Sequence, residues 1–139
     1  MNQLIYKEEC YQLVGACLAV YRHHGCGFLE PVYQECLEIE LAYQKLPAVA
    51  QPGLELRYRD RLLKQRYTPD FVCFGKIILE IKATEKLADE HRAQILNYLH
   101  ATRFQLGLLV NFGHCPGLEY ERIVNTRPSH SFDNRPAQT

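Results

Sequence analysis

Asp70, Glu80 and Lys82 are residues whose types and spacing could do chemistry together. They fall in the stretch from Pro69 to Lys82, Pro-Asp-Phe-Val-Cys-Phe-Gly-Lys-Ile-Ile-Leu-Glu-Ile-Lys. Two apolar runs, Phe71 to Phe74 and Ile77 to Ile81, flank Gly75 and predict a β-hairpin. On the second run Ile77, Leu79 and Ile81 face one way, and Ile78, Glu80 and Lys82 the other. A carboxylate and an ammonium thus interrupt a strand that otherwise looks buried, and buried charge is costly unless it is paired or bound to metal. An odd-numbered loop around Gly75 places Asp70 on the face of Glu80. With three loop residues the two stand directly opposite, roughly 5 Å apart at Cβ, where like charges repel. A divalent cation would reverse the sign of that interaction. An even loop would put Asp70 on the other face and dissolve the arrangement.

Other elements must position these residues. Leu13, Val14, Cys17, Leu18 and Tyr21 recur at helical spacing and predict a helix from about Tyr6 to His23, ended by Gly25-Cys26-Gly27. Pro31 suits the first turn of a second helix, with Glu30 at or beside its N-cap and the C-terminus near Lys45. Leu54, Leu56 and Tyr58 alternate with Glu55, Arg57 and Arg59, as in a half-exposed strand, and a short strand should follow around Leu62 to Tyr67. Leu87, His91, Gln94, Ile95 and Tyr98 mark a third helix from about Thr84 to His100. Leu106 to Phe112 reads as a buried strand, and Glu119 to Val124 as a last one. The order predicts one α/β domain over residues 1–126, with a disordered tail at 127–139.

The Asp70 and Glu80-Ile81-Lys82 set, preceded by Pro69, resembles the PD-(D/E)xK nuclease motif. A second motif, Gly27-Phe28-Leu29-Glu30-Pro31-Val32-Tyr33, matches G-x-x-E-x-x-Y, the signature of a family of small proteins in that superfamily. Glu80 to Ala83, Ala93 to Leu99 and Leu106 to Gly113 resemble that family's later blocks, in its order. The resemblance implies a restriction-endonuclease-like core, a mixed central sheet flanked by helices. It implies Asp70, Glu80 and Glu30 as metal carboxylates, Lys82 as the catalytic lysine and Gln94 as a polar neighbour. Mg²⁺, with Mn²⁺ as a substitute, suits such hard oxygen donors. The ion would polarise a phosphoryl oxygen and help generate a hydroxide-like nucleophile, while Lys82 orients water and offsets charge.

Three functions compete. The first is a Mg²⁺-dependent nuclease acting on nucleic acid, DNA ahead of RNA. The second is a non-catalytic nucleic-acid- or protein-binding module on the same fold, and the third a small-molecule phosphohydrolase. The chain has 139 residues and 16 basic against 16 acidic side chains, so any polyanion surface must be local. Arg57, Arg59, Arg61, Lys64 and Arg66 form the dense basic cluster. They could contact phosphate, or simply guard a strand edge against aggregation. Arg57, Arg59 and Arg61 share one side if the alternation runs that far. Glu30 has its own alternative, a favourable charge at a helix N-terminus. The small basic surface leaves room for a homo-oligomer or a protein partner. No stretch suits a signal peptide or a membrane span, and the six cysteines, without a C-x-x-C pair, read as reduced thiols of a cytoplasmic protein.

Overall fold

Ile77, Leu79 and Ile81 are buried on one side of their strand and Ile78 on the other, so the sheet that holds them needs cover on both faces. The computed structural model describes residues 4–126, and the expected tail at 127–139 lies outside the described residues. In chain order the elements are α1 (Lys7–His24), α2 (Glu30–Tyr43), β1 (Ala48–Ala50), β2 (Leu54–Tyr58), β3 (Arg61–Tyr67), β4 (Phe71–Cys73), β5 (Ile77–Lys82), α3 (Asp89–Thr102), β6 (Leu106–Asn111) and β7 (Glu119–Val124). Five strands form one sheet in the order β1-β4-β5-β6-β7, and β2 with β3 forms a separate two-stranded ribbon. The β5–β6 pair is parallel and the other pairs are antiparallel. A parallel pair needs a crossover, which α3 supplies.

One face of the sheet packs Phe71, Leu79, Ile81, Leu108 and Val110 against Leu13 and Cys17 of α1 and Tyr33 and Leu37 of α2. On the other, Ile78 meets Ile95 and Leu99 of α3 and Tyr67 of β3, with Leu54 and Leu56 of β2 alongside. This is the mixed sheet flanked by helices that the motifs imply. It also places Glu80 and Lys82 on the α3 side.

Several local expectations change. Ala48–Ala50 is a strand that the sequence pattern missed, because Pro47 and Pro52 bracket so short a run. The chain reaches α3 only at Asp89, five residues after the expected start. Thr84 and Leu87 use their backbone N–H groups elsewhere, donating to Asn111 Oδ1 and Glu119 Oε1, both at 3.0 Å. Asn111, fully buried, returns a bond from Nδ2 to the Thr84 carbonyl at 3.0 Å. The β2–β3 turn falls at Arg59 and Asp60, with φ of 49° and 70°. Arg57 then pairs with Leu62 and Tyr58 with Arg61, so Arg57 and Arg61 project to opposite sides and the expected one-sided stripe does not form.

The cysteine expectation is corrected as well. Cys26 and Cys115 form a disulfide, with Cα atoms 6.0 Å apart, joining the α1–α2 turn to the β6–β7 loop. Gly25, at φ 68°, turns the chain toward that loop, and Tyr21 holds it by donating its hydroxyl to the His114 carbonyl at 2.7 Å. Cys10, Cys17 and Cys73 are buried free thiols, and Cys36 is a half-buried one.

The segment from Lys82 to α3 also depends on Gly113. A Cβ there would fall on the Thr84 carbonyl oxygen and 2.5 Å from Thr84 N, both backbone atoms. At Gly107 an added Cβ would meet Ile95 Cδ1 at 2.6 Å, a side-chain tip that can rotate. Gly113→Ala should therefore lower unfolding free energy by about 2 kcal/mol or more in urea titration, and Gly107→Ala by less. Equal losses would contradict this packing argument.

Candidate active site

Asp70 and Glu80 meet because the β4–β5 turn has an odd number of residues. Cys73 pairs with Ile77 and Phe71 with Leu79, which leaves Phe74, Gly75 and Lys76 as the loop and sets Asp70 against Glu80 at the next position. Phe74 and Gly75 have φ of 56° and 69°, so β4 ends at Cys73 rather than at Phe74. Of the two cases left open by the sequence, the odd loop is the one that forms.

Asp70 sits in a bend just before β4. Its carbonyl accepts the Gln51 N–H at 2.9 Å and the Gln34 side-chain amide at 3.4 Å. Its N–H donates to Glu80 Oε1 at 3.2 Å, and its own Oδ2 accepts the Ile81 N–H at 2.7 Å. The other oxygen of Glu80 accepts the Tyr67 hydroxyl. Tyr67 in turn stacks on Tyr98, with ring centroids 3.7 Å apart and planes within 4°.

One cavity of about 270 Å³ collects these groups. Glu30, Asp70, Glu80, Lys82 and Gln94 all border it. Among the basic five, Arg66 is a wall residue, whereas Arg57, Arg59, Arg61 and Lys64 are not and lie exposed along the ribbon. Tyr67 and Thr68 also line it, and nothing in their spacing singles them out. Gln34 did carry a signal, since it lies one helical turn beyond Glu30 on the same face of α2. His91 serves elsewhere: its Nδ1 accepts the Ala88 N–H at 3.1 Å and fixes the start of α3. Beyond Glu30 and Asp70 the cavity adjoins a groove of about 480 Å³ that also carries Glu35 and Glu38. The site thus has an acidic side along α2 and a basic side at Arg66.

Burial, then the charge of Asp70, pushes the Glu80 carboxyl up to about 7, although the Tyr67 hydroxyl pulls the other way. Partial burial of the Glu30 carboxyl and the Asp70 charge also raise it, with Lys82 opposing. The Tyr67 phenol is held well above its usual range, first by burial and then by the Glu80 charge. The carboxylates are therefore in electrostatic conflict, which a cation would relieve.

Among the described residues no three His, Cys, Asp or Glu side chains form a ready-made metal cage. Glu30 stays on the exposed rim of the cavity rather than closing one with Asp70 and Glu80. Two hard carboxylates with open water positions still fit Mg²⁺, which keeps several waters and takes one or two carboxylates plus substrate phosphate. The residues present fit a divalent ion on that chemistry.

The sequence profile of the PD-(D/E)XK nuclease superfamily matches residues 7–123. Among solved structures, the crystal structure of SSO0001 matches with a TM-score of 0.56 at 19% identity, over 96% of this chain and 63% of the other. At that identity the likeness speaks for the fold alone, and the chain spans less than two thirds of that protein. No curated protein sequence matches.

The raised Glu80 carboxyl makes stability fall with pH. The fold holds the Glu80 proton up to about 7, whereas the unfolded chain releases it near 4.5. The contribution is therefore complete below about pH 4.5 and is lost as pH rises through about 7. In a chelator, the melting temperature of the protein should decline across that window, and Glu80→Gln should flatten the decline. A wild-type profile that rises there would contradict the assignment.

Proposed function

The chain belongs to the PD-(D/E)XK nuclease superfamily, and we propose that it is a Mg²⁺-dependent nuclease of the G-x-x-E-x-x-Y type. It hydrolyses phosphodiester bonds in nucleic acid, DNA ahead of RNA, through the domain formed by residues 1–126. One observation carries the reading: Asp70, Glu80 and Lys82 share a half-buried cavity with Glu30, Gln94 and Arg66. Such a set has no use in packing, since the Asp70 charge adds to burial in raising the proton affinity of Glu80.

Asp70 and Glu80 would hold the ion directly, with Glu30 on the rim acting on its water shell. A bound Mg²⁺ supplies charge stabilisation at a phosphoryl oxygen and makes water more acidic. Lys82 orients the attacking water and offsets charge that develops on phosphate. Gln94 offers an amide to the same space. Arg66 meets the phosphate backbone on the side away from the acidic groove, and the ribbon carries it onward through Arg57, Arg59, Arg61 and Lys64. Tyr58 is 64% exposed and lies beneath the Arg59 guanidinium at 5.8 Å, which provides a stacking surface for a base.

Net charge is zero across the chain, so a second copy or a protein partner would supply further binding surface. Four free thiols, three of them buried, support a cytoplasmic site of action, where the Cys26–Cys115 bond would be open to reduction.

Calorimetric titration with Mn²⁺ or Mg²⁺ should give saturable binding that Asp70→Asn and Glu80→Gln remove. Lys82→Ala should keep the ion and lose on the order of 100-fold in kcat on oligonucleotides. Carboxylate-dependent binding without cleavage of any DNA or RNA would favour the alternative, a non-catalytic binding module. Absence of such binding sinks the enzyme reading.

On DNA, the Arg57→Ala/Arg59→Ala pair should weaken binding and reduce the slope of log K against log salt by about 2. Unchanged affinity in that double variant would remove the ribbon from the interface.

A further inference from the structure

We infer that Tyr67 is a positioning residue for the metal site: its hydroxyl sets the orientation in which Glu80 presents a carboxylate oxygen to the ion. This deepens the metal-dependent reading above and rests on it.

Glu80 is a flexible side chain at the edge of a cavity, and left alone it would sample several rotamers. Two contacts remove that freedom. One oxygen takes the Asp70 N–H at 3.2 Å, and the other takes the Tyr67 hydroxyl. The first contact moves with the Asp70 bend itself, so Tyr67 is the brace that comes from outside the hairpin. The brace is stiff. Tyr67 is 5% exposed and packs with Ile78, Ile95 and Leu99. Its ring also lies flat on Tyr98 of α3, at 3.7 Å between centroids.

The hydroxyl is therefore placed by its own strand, β3, and by packing on α3, both of which carry other site residues. Arg66 directly precedes Tyr67 at the end of β3, and Gln94 lies one helical turn before Tyr98 on α3. A neutral phenol is suited to this task. It satisfies one lone pair of the carboxylate while leaving its charge and remaining lone pairs for a cation. Partners of this kind, which hold a ligand without touching the metal, commonly contribute 10- to 100-fold in metal affinity.

Tyr67→Phe keeps the ring, and with it the stack on Tyr98, and deletes only the brace. Mn²⁺ affinity measured by calorimetry in the wild-type chain and in Tyr67→Phe, without nucleic acid, isolates the effect from turnover. We expect about a tenfold or greater weakening in Tyr67→Phe, with the far-ultraviolet spectrum and cooperative melting preserved. A fall in melting temperature with unchanged Mn²⁺ affinity would reduce Tyr67 to a packing residue and overturn the inference while leaving the metal site standing. Failure of the wild-type chain itself to bind Mn²⁺ would overturn the metal-dependent reading and the inference with it. Kinetics on an oligonucleotide give a second readout: at fixed subsaturating Mn²⁺ the variant should lose kcat, and raising Mn²⁺ should restore most of it. A loss that Mn²⁺ cannot restore contradicts an effect exerted through Glu80's hold on the ion.

Discussion

Two carboxylates are set against each other across a three-residue turn, and much of the rest of the molecule serves to keep them there. Cys73 pairs with Ile77, and that register leaves Asp70 no choice of side. Left to themselves the two groups would move apart or take up a proton. Instead the Asp70 backbone is held by Gln51 and Gln34, its carboxylate by the Ile81 N–H, and Glu80 by Tyr67. The cost appears as a Glu80 carboxyl pushed up to about 7. Buried like charges are rare in structures built only for stability, and sites that keep them commonly use them.

The framework can bear this because its core is apolar on both faces. Ile77, Leu79 and Ile81 pack toward α1 and α2, while Ile78 packs toward α3 and the ribbon. Polar chemistry begins only where that packing ends, at Glu80 and Lys82 on β5. The neighbouring strand ends in a polar lock of its own. Asn111, opposite Lys82, ties down Thr84 and reaches Glu119, and so fixes the path by which the chain leaves the site and enters α3. Gln94 thus occupies its place through hydrogen bonds made by residues that do not themselves line the cavity.

Much of this was legible in the sequence, because strands alternate with period two and carboxylates on a buried strand are conspicuous. The facing of Ile78, Glu80 and Lys82 follows from spacing alone, as does Glu30 at the start of α2 beside Pro31. Loop parity was not legible, since either turn fits Phe74-Gly75-Lys76, and pairing with β5 decided it. The late start of α3 was hidden for a different reason: helical periodicity at Leu87 and His91 does not reveal that Asn111 and Glu119 claim the preceding N–H groups. Tyr67 carries no sequence signal of its role, because its partner Glu80 reaches it only after β3 and β5 are folded onto α3. The Cys26–Cys115 bond was equally invisible, as 89 residues separate the two thiols in the chain.

The central claim is that Asp70 and Glu80 share one divalent ion. Anomalous diffraction from crystals grown with Mn²⁺ addresses it directly. The account predicts a single strong peak within coordination distance of both carboxylates, on the side of the cavity that Lys82 borders, and its loss in Asp70→Asn. A peak seated only in the acidic groove beside Glu35 and Glu38, or none near Glu80 at saturating Mn²⁺, would contradict it.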